Sequence, residues 1–496
     1  MINISYDTWN EACIFIKDYS KKYGKFYMQL YPFYKFNNLS NISSEAFFDS
    51  YVKNGAIFAK YDNFDKIDNY CRKSDGSYRK RFLLTPIMYI YYIAIGLHIS
   101  KKYNQKRNKE IYVKYGGEFE NGNLHYRNSY SQFVRYVNDA SLEYNYYYKL
   151  DISDYFNKID INLLTKLLSA SFQFNQKEQM VFKEFMKWCG EGSFPQTECG
   201  VTSSYLATIV YFDIIDNRLF NLLSKDETIK KFKICRYVDD LYILINIDGR
   251  INSDKIENKI SSIYENLIYE YNLTINRKKS NFNKIENIFS DLKSFSILED
   301  YQDGINIPLE YKNHLSNFLK DLIKYARNGS INYLKYIELI NKYFENPESI
   351  YHAGQILYIL VYKNISWLKE TRLINKVTKI IDSDFYILSL DPRRLVSLIV
   401  NTHDSNIINK FLNKLYCCAE EGNWLISHNF MAFQYLLYRN FASTKLLNKM
   451  NKFCPKIVDF IFKYYKNDWR KNIIDSNLKL QVQKLKYEKT PISFFK

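Results

Sequence analysis

The sequence lacks any pattern of cysteine and histidine that would hold a structural metal. Its 496 residues include eight cysteines and six histidines. No two cysteines form a CxxC pair, and no histidine lies at zinc-finger spacing from a cysteine. This excludes a zinc finger and predicts free or buried thiols, which are typical of a reducing compartment such as the cytoplasm.

Targeting and membrane-spanning segments are also missing. The first residues carry no basic region followed by an apolar run, so we expect no signal peptide. The longest apolar run, from Phe82 to Ile99, contains Pro86 and several tyrosines and is flanked by charge. It is too short and too interrupted for a membrane span. We therefore expect a cytoplasmic protein without a membrane partner.

Acidic residues are scarce relative to basic ones. The chain has 70 Lys and Arg against 53 Asp and Glu, a formal net charge of +17. Such an excess favours polyanions, above all nucleic acid. A lysine-rich solvated surface is the alternative that charge alone leaves open. The 47% hydrophobic content indicates a folded protein.

No linker rich in proline or glycine divides the chain, which is long enough for two to four domains. We predict a helical part at residues 1–75, a mixed α and β region at 76–304 and an all-helical region at 305–496. In the last region, helical segments of roughly 10 to 18 residues recur between short polar breaks. Helix pairs stacked in series would form an α-solenoid-like domain, without a repeat period clean enough to name.

The acidic pair in Tyr237-Val238-Asp239-Asp240 is the most informative feature of the sequence. Apolar and β-branched residues on both sides of the pair predict two short strands joined by a tight turn, with both acids at its tip. Adjacent carboxylates in an apolar hairpin are costly to bury without a cation. They are suitable oxygen ligands for Mg²⁺.

A further acid, Asp151, follows what resembles a strand end far upstream. If its strand neighbours that of Asp239 in one sheet, the two carboxylates would face one another. They could then hold two Mg²⁺ ions about 3.5–4 Å apart, the arrangement used for in-line phosphoryl transfer. In that chemistry the metals lower the pKa of a 3′-hydroxyl and neutralise a triphosphate and its leaving pyrophosphate.

Four segments, in order, resemble the sequence motifs of reverse transcriptases. Asp151–Phe156 resembles motif A, Pro195–Ala207 motif B, Tyr237–Asp240 motif C and Leu273–Ser280 motif D. The resemblance covers roughly residues 75–300. It implies an α+β fold with right-hand polymerase fingers and palm, built on an antiparallel sheet with helices. Residues 1–75 would belong to the fingers, and an all-α helical-repeat domain would follow the palm.

The resemblance also implies catalytic roles for the residues that match the motifs. Asp151 and Asp239 would be the metal ligands, together with the backbone carbonyl of Ile152. Asp240 would be an auxiliary acid, and Lys279 would protonate the leaving pyrophosphate. The implied cofactor is a pair of Mg²⁺ ions, with Mn²⁺ as an alternative.

Further residues would bind the incoming nucleotide. Phe156 occupies the position that contacts the sugar in the family, where a bulky ring would clash with a 2′-hydroxyl and favour dNTPs. The others are Arg79 and Arg127 on the triphosphate, Gln196 and Ser203 under the base pair, and Tyr237 near the primer terminus. In motif B the usual Pro-Gln-Gly is Pro-Gln-Thr here, with the glycine at Gly200, so two registers fit.

The arrangement after the palm resembles the abortive-infection and related defence-associated reverse transcriptases of bacteria, whose helical C-terminal domain is HEAT-like. Nothing after residue 305 resembles an RNase H, maturase or endonuclease domain. Membership of that group implies phage defence, homo-oligomers and DNA synthesis that is RNA-directed or untemplated. Some members use a non-coding RNA, and in some a protein hydroxyl starts the chain. Tyr487 is attractive as such a primer, although many tyrosines compete and the primer is left unassigned.

Two other functions remain open at this point. One is a catalytically inactive RNA-binding scaffold with a palm like that of reverse transcriptases. The other is an RNA polymerase of related palm fold. The presence of both Asp151 and Asp239 favours an enzyme over a scaffold, and Phe156 argues against the use of NTPs.

Overall fold

The computed structural model of the chain describes residues 2–58, 65–72, 78–172, 174–229, 231–247, 252–292, 309–346, 353–362 and 366–471, apart from the side chains of residues 71, 72, 172, 355 and 362. These residues divide into two compact units. The first lies within residues 1–68, 81–292 and 468–496, and the second within 69–80 and 293–467. The boundary predicted near residue 304 falls outside the described residues, as do Tyr487 and the tail that contains it. The three-part division stays a prediction.

The chain up to residue 292 mixes helices with two sheets. Its helices are α1 (Tyr6–Tyr23), α2 (Tyr31–Lys35), α3 (Glu45–Phe47), α4 (Pro86–Lys102), α5 (Arg127–Ser141), α6 (Tyr155–Lys158), α7 (Ile161–Phe172), α8 (Gln176–Cys189), α9 (Val201–Tyr205), α10 (Asp213–Ser224), α11 (Ser253–Tyr269) and α12 (Ile288–Asp291). The strands are β1 (Lys66–Arg72), β2 (Tyr78–Leu84), β3 (Tyr112–Lys114), β4 (Tyr146–Leu150), β5 (Lys231–Tyr237), β6 (Asp240–Asn246) and β7 (Asn281–Lys284).

The larger sheet has five strands in the order β3-β5-β6-β4-β7, whereas β1 and β2 form a separate pair. Strands β5 and β6 form an antiparallel hairpin, and β4 lies antiparallel between β6 and β7. Strand β3 adds a parallel edge beside β5. Because Tyr, Ile and Leu favour a pleated, half-buried surface, the composition of β4 to β6 explains their pairing. The hairpin expected from the sequence is present, and the sheet is antiparallel as expected except at its edge strand β3.

Helices cover both faces of this sheet. On one face, Phe133 of α5 packs against Tyr237 and Tyr242, with ring centroids 5.5 and 5.9 Å apart. On the other face, the Tyr264 hydroxyl of α11 accepts a hydrogen bond of 3.1 Å from Arg236 of β5. Aromatic side chains of this size bury enough surface to dominate the packing energy. The sheet is therefore the rigid core on which strand-end residues are placed.

A chain of buried ion pairs runs beneath the β5–β6 turn. Arg236 and Asp216 are fully buried, and the Arg236 Nε and Nη2 donate hydrogen bonds of 2.9 and 2.7 Å to the Asp216 carboxylate. Nε of Arg107 lies 3.0 Å from Oδ2 of the same carboxylate. The Arg236 guanidinium also lies 3.7 Å from the ring centroid of Phe212, and its Nη1 donates a long hydrogen bond of 3.4 Å to the carbonyl of Val238. These contacts join β5, α10 and the turn.

The described part of the chain from residue 309 to 467 is helical. Its α-helices are α13 (Glu310–Arg327), α14 (Tyr333–Phe344), α15 (Ala353–Tyr362), α16 (Thr371–Ser383), α17 (Pro392–Asn401), α18 (Ser405–Glu420), α19 (Ile426–Tyr438), α20 (Thr444–Asn451) and α21 (Pro455–Phe460). Two rows recur: α15, α17 and α19 pack in series, and so do α13, α16, α18 and α20. None of the helices that the structure describes is long and apolar enough to cross a membrane.

Two local expectations differ from the structure. The sequence predicts helices throughout residues 1–75, yet Lys66–Arg72 is strand β1. It also predicts one helix from Val201 to Leu223, where α9, a π-helical turn at Leu206–Val210 and α10 follow one another. The break leaves Asp213 and Asp216 in the first turn of α10, where carboxylates interact favourably with the helix dipole.

We predict that Asp216→Asn strongly destabilises the first unit. The substitution keeps the side-chain shape but leaves Arg107 and Arg236 buried without a counter-ion. Breaking a buried pair in this way typically costs about 3–5 kcal/mol. The urea midpoint of the full chain, followed by circular dichroism, measures the loss. Glu270→Gln is the control, because Glu270 binds Arg218 on the surface, where both side chains are largely exposed; an equal shift in the two variants would contradict the prediction.

Candidate active site

The turn that carries the acidic pair is tighter than the sequence indicates. Tyr237 pairs with Asp240, so the turn consists of Val238 and Asp239, and Asp240 is the first residue of β6. The prediction that both acids sit at the tip is therefore wrong for Asp240. Val238 has a φ of +54°, which β-branched residues rarely adopt. Such a conformation costs roughly 1–3 kcal/mol and persists only where the surroundings impose it.

Extended by one residue, the register of β4 and β6 places Asp240 opposite Asp151. Strands β4 and β6 pair up to Leu150 and Leu241, and the next pair in that register is Asp151 and Asp240. The backbone of Asp240 faces β5, because Tyr237 and Asp240 close a two-residue hairpin. The pair is therefore of the non-hydrogen-bonded type, in which Cα atoms are about 4.5 Å apart and side chains lie closest. Asp239 is the adjoining turn residue, and its role as a metal ligand stays a prediction.

Burial dominates the electrostatics of this pair. The pKa of Asp240 is raised to about 6, chiefly by burial and in addition by the nearby carboxylate of Asp151, against the opposing charges of Lys149 and Lys279. Burial also raises the pKa of Asp151, opposed chiefly by Lys279 and by a hydrogen bond from Asn276. The exposed side chain of Lys279 is thus close enough for its charge to act on both acids.

A short turn, residues 276–280, holds Asp151 in place. Asn276 donates hydrogen bonds of 2.8 Å to Asp151 twice, from its amide Nδ2 to Oδ2 and from its backbone to the carbonyl. The backbone N–H of Asp151 donates in turn to Oγ of Ser280 at 3.1 Å. Neither Asn276 nor Ser280 was predicted from the sequence to belong to the site. Both residues lie in the segment that resembles motif D, where a role was predicted for Lys279 alone.

The backbone carbonyl of Ile152 points towards the hairpin. Hydrogen bonds on either side of it, from Asn276 to the Asp151 carbonyl and from Ser153 to the Thr274 carbonyl, lie on the β7 side. Because backbone groups of successive strand residues point to alternate sides, the Ile152 carbonyl faces the β6 side. It is thus directed towards the strand that carries Asp240.

Carboxylate and carbonyl oxygens, the ligands that Mg²⁺ prefers, occur at this strand end. Within the described ranges, no group of three or more His, Cys, Asp or Glu side chains is arranged to hold a metal ion. The donors that the strand register supports are two carboxylates, Asp151 and Asp240, with the Ile152 carbonyl; Asp239 as a further ligand stays a prediction. The raised pKa values of Asp151 and Asp240 fit a divalent cation, because a cation would offset the repulsion that burial amplifies. Occupation by Mg²⁺ or Mn²⁺ stays a prediction.

Phe156 and Gln196, both predicted to bind the nucleotide, lie on neighbouring segments. The half-buried ring of Phe156 stacks on Phe194, with centroids 6.1 Å apart. Gln196 donates a hydrogen bond of 2.8 Å from Nε2 to the Asn157 side chain. The segments that resemble motifs A and B therefore meet beside Asp151. Direct contact of either residue with a nucleotide stays a prediction.

Ser203 and Tyr237 are buried and bind the protein's own groups. The Ser203 hydroxyl donates a hydrogen bond of 2.7 Å to the Pro195 carbonyl, and its oxygen lies 2.6 Å from the Tyr92 hydroxyl oxygen. The Tyr237 hydroxyl donates a hydrogen bond of 3.1 Å to the carbonyl of Tyr126. These contacts explain how the two side chains fix the segments around the site. Their predicted contacts with the base pair and the primer terminus remain untested.

The two arginines predicted to grip the triphosphate occupy different settings. Arg127 begins α5, is 7% exposed and lies over the Tyr27 ring at 5.7 Å. Arg79 is half-exposed in β2 and belongs to the second unit. Their contacts with a triphosphate stay predictions.

Comparison with protein families identifies two regions. Residues 93–337 match the model of the family described as reverse transcriptase (RNA-dependent DNA polymerase). This region contains Asp151, Phe156, Gln196, Asp239 and Asp240. Residues 307–466 match a second family, described as a domain of unknown function (DUF8609). No curated protein matches the chain in sequence.

Among solved structures, 38 chains match. One is telomerase from Candida albicans in complex with a TWJ fragment of telomeric RNA, at 12% sequence identity and a TM-score of 0.29. The match covers 90% of this chain and 69% of the telomerase chain.

The raised pKa of Asp240 predicts a pH-dependent effect of Asp240→Asn on the metal-free protein. A carboxyl whose pKa is higher in the folded state destabilises the fold when ionised, and this penalty disappears as pH falls towards the unfolded value. Asp240→Asn should therefore raise the free energy of unfolding by about 1–3 kcal/mol at pH 7.5 and by less at pH 5. Urea unfolding in EDTA at both pH values measures this. A gain that is larger at pH 5 would contradict the assignment.

Proposed function

Because the chain carries a reverse transcriptase domain and is a DNA nucleotidyltransferase, we propose that it joins dNTPs into DNA by two-metal-ion catalysis at the acids Asp151, Asp239 and Asp240. The observation that supports this most directly is the register of β4 and β6, which sets Asp151 opposite Asp240. Both acids lie within the region that matches the family. Opposed, half-desolvated carboxylates of this kind have little structural value without a cation.

Each acid has a distinct task in this proposal. Asp151 and Asp239 would hold two Mg²⁺ ions, or Mn²⁺, with the help of the Ile152 carbonyl, and Asp240 would add negative charge beside them. When bound, such ions lower the pKa of a 3′-hydroxyl and neutralise the triphosphate. Lys279, whose charge reaches both Asp151 and Asp240, protonates the leaving pyrophosphate as general acid.

The nucleotide would lie between the segments that resemble motifs A and B. Phe156, supported from behind by Phe194, excludes a 2′-hydroxyl and so selects dNTPs. Gln196 lies beneath the base pair. The remaining predicted contacts are those of Ser203 at the same floor, Tyr237 at the primer terminus, and Arg79 and Arg127 on the triphosphate, where guanidinium groups bind phosphate through charge-assisted hydrogen bonds.

Nucleic acid is the proposed macromolecular partner. The net charge of +17 favours a polyanion. We propose that synthesis is RNA-directed, with a non-coding RNA as template, or untemplated, and that the product is DNA. Both modes use the same acids, so the choice between them does not alter the chemistry at Asp151.

We further propose that the enzyme acts in antiviral defence in the bacterial cytoplasm, as a homo-oligomer, and that a protein hydroxyl can prime synthesis. The support is the arrangement of a reverse transcriptase region followed by helices packed in two rows, which resembles the abortive-infection enzymes and their HEAT-like domain. None of the cysteine side chains that the structure describes forms a disulfide, which fits a reducing compartment.

We predict that Asp151→Asn and Asp239→Asn each abolish DNA synthesis. Removing a metal ligand forfeits several kcal/mol of transition-state stabilisation, which corresponds to a loss of about 10³-fold or more in rate. Incorporation of labelled dNTPs by the full chain in Mg²⁺ measures the rate. Nucleic acid that co-purifies with wild-type protein is sequenced in parallel to identify template and product.

The control for these variants is Asp18→Asn, an exposed acid on α1 that should leave incorporation unchanged. Full incorporation by Asp239→Asn would overturn the metal-site assignment and favour an RNA-binding scaffold. The same variants, expressed in bacteria challenged with phage, test the defence role. Protection that survives the loss of synthesis would separate defence from polymerisation.

Phe156→Ala should relax the discrimination between dNTPs and NTPs. Shortening the side chain makes room for the 2′-hydroxyl, and steric discrimination of this size is typically worth about 10- to 200-fold. The measurement is the ratio of kcat/KM for dGTP and GTP. Phe156→Tyr, which keeps the ring, is the matched control and should retain the wild-type ratio. An unchanged ratio in Phe156→Ala would show that another residue excludes the hydroxyl.

A further inference from the structure

We propose that Asn276 is a positioning residue that orients the Asp151 carboxylate for a divalent cation. The inference rests on the proposed function, because it concerns the same site. It starts from the side chain–side chain hydrogen bond of 2.8 Å between Asn276 Nδ2 and Asp151 Oδ2. This bond fixes one carboxylate oxygen, so the plane of the group can no longer rotate freely.

The rest of the 276–280 turn reinforces this orientation. The Asn276 backbone N–H donates to the Asp151 carbonyl, and the Ser280 hydroxyl accepts from the Asp151 N–H while donating 3.0 Å to the Asn276 carbonyl. The backbone and the side chain of Asp151 are therefore held by the same turn. Because its backbone and its carboxylate are both held, Asp151 loses little further conformational entropy when a cation binds.

The second oxygen, Oδ1, is left available for a cation. Across the ranges that the structure describes, no group donates a hydrogen bond to Oδ1, whereas Oδ2 accepts the one from Asn276. In the register of strands β4 and β6, Asp151 lies opposite Asp240. A neutral amide suits this position, because it supplies a donor to Oδ2 without adding charge that would compete with the cation. Partners of this kind typically change metal affinity by about 10- to 100-fold.

The turn also ties Lys279 to the same carboxylate. The backbone N–H of Lys279 donates a hydrogen bond of 3.0 Å to the Asn276 carbonyl. The position of the backbone of the proposed general acid is therefore fixed relative to Asp151. Asn276 thereby links two functional groups that belong to different segments of the chain. Neither link requires contact between Asn276 and the nucleotide.

The test measures Mn²⁺ binding to the full chain without nucleotide, by the loss of the electron paramagnetic resonance signal of free Mn²⁺. Asn276→Ala and the near-isosteric Asn276→Leu should each weaken binding at the Asp151 site by about 10-fold. Asn276→His restores a donor close to the same place and should recover most of the affinity. Two substitutions that leave side chains of different size are used, so that a folding defect in one variant leaves the other informative.

The matched control is Asn281→Ala. Asn281 donates a hydrogen bond of 2.9 Å to Asp291, which is the same amide–carboxylate bond at a position that does not touch Asp151. It should lower the melting temperature of the metal-free protein about as much as Asn276→Ala and leave Mn²⁺ affinity unchanged. Equal affinity in wild type and both Asn276 truncations would overturn the inference. Binding that is equally strong in wild type and Asp151→Asn would instead overturn the proposed metal site.

Discussion

The ion pairs of Arg107, Asp216 and Arg236 fix the end of the sheet at which the acids lie. Three charges buried together are stable only when each has its partners, because an unpaired charge in the interior costs several kcal/mol. Asp213 completes the set: its carboxylate accepts a 2.7 Å hydrogen bond from the Arg107 backbone. The Arg236–Asp216 pair thus locks α10 against β5, and Arg107 binds α10 through Asp216 and Asp213. The turn that follows β5 has little freedom left, which explains how Val238 can hold a positive φ.

Unlike these ion pairs, Asp151 and Asp240 are two like charges that lie close together. Asp151 and Asp240 lie on one face of neighbouring strands, and directly opposed like charges destabilise a sheet. Lys149 and Lys279 oppose the pKa shifts without cancelling them: burial keeps the pKa values of both acids raised, and at Asp240 the charge of Asp151 adds to the shift. A divalent cation would remove the repulsion. The fold therefore holds two like charges close together at one point and has a network of buried ion pairs close by, as expected where strain serves binding.

The sequence was informative wherever the determining interactions are local. The β5–β6 hairpin follows from apolar runs around two acids, and the helices after residue 309 follow from apolar residues at helical spacing. Which acid faces Asp151 could not be predicted, because it depends on register, and a change from a longer turn to a two-residue turn exchanges Asp239 for Asp240. Arg236 was also missed, since its partner Asp216 lies in a helix that the sequence suggested was continuous with α9. Asn276 was missed because an asparagine beside three basic residues gives no sign of a distant carboxylate.

The division of the chain separates chemistry from the helical region. The acids, Phe156, Gln196 and Lys279 all belong to the first unit, where one sheet and the segments packed on it determine their spacing. Among the predicted site residues Arg79 alone belongs to the second unit. The residues proposed for metal binding and for selection of the sugar therefore all lie in the first unit. The spacing of these acids is set inside that unit, by the register of β4 and β6 and by the hydrogen bonds of the 276–280 turn to Asp151.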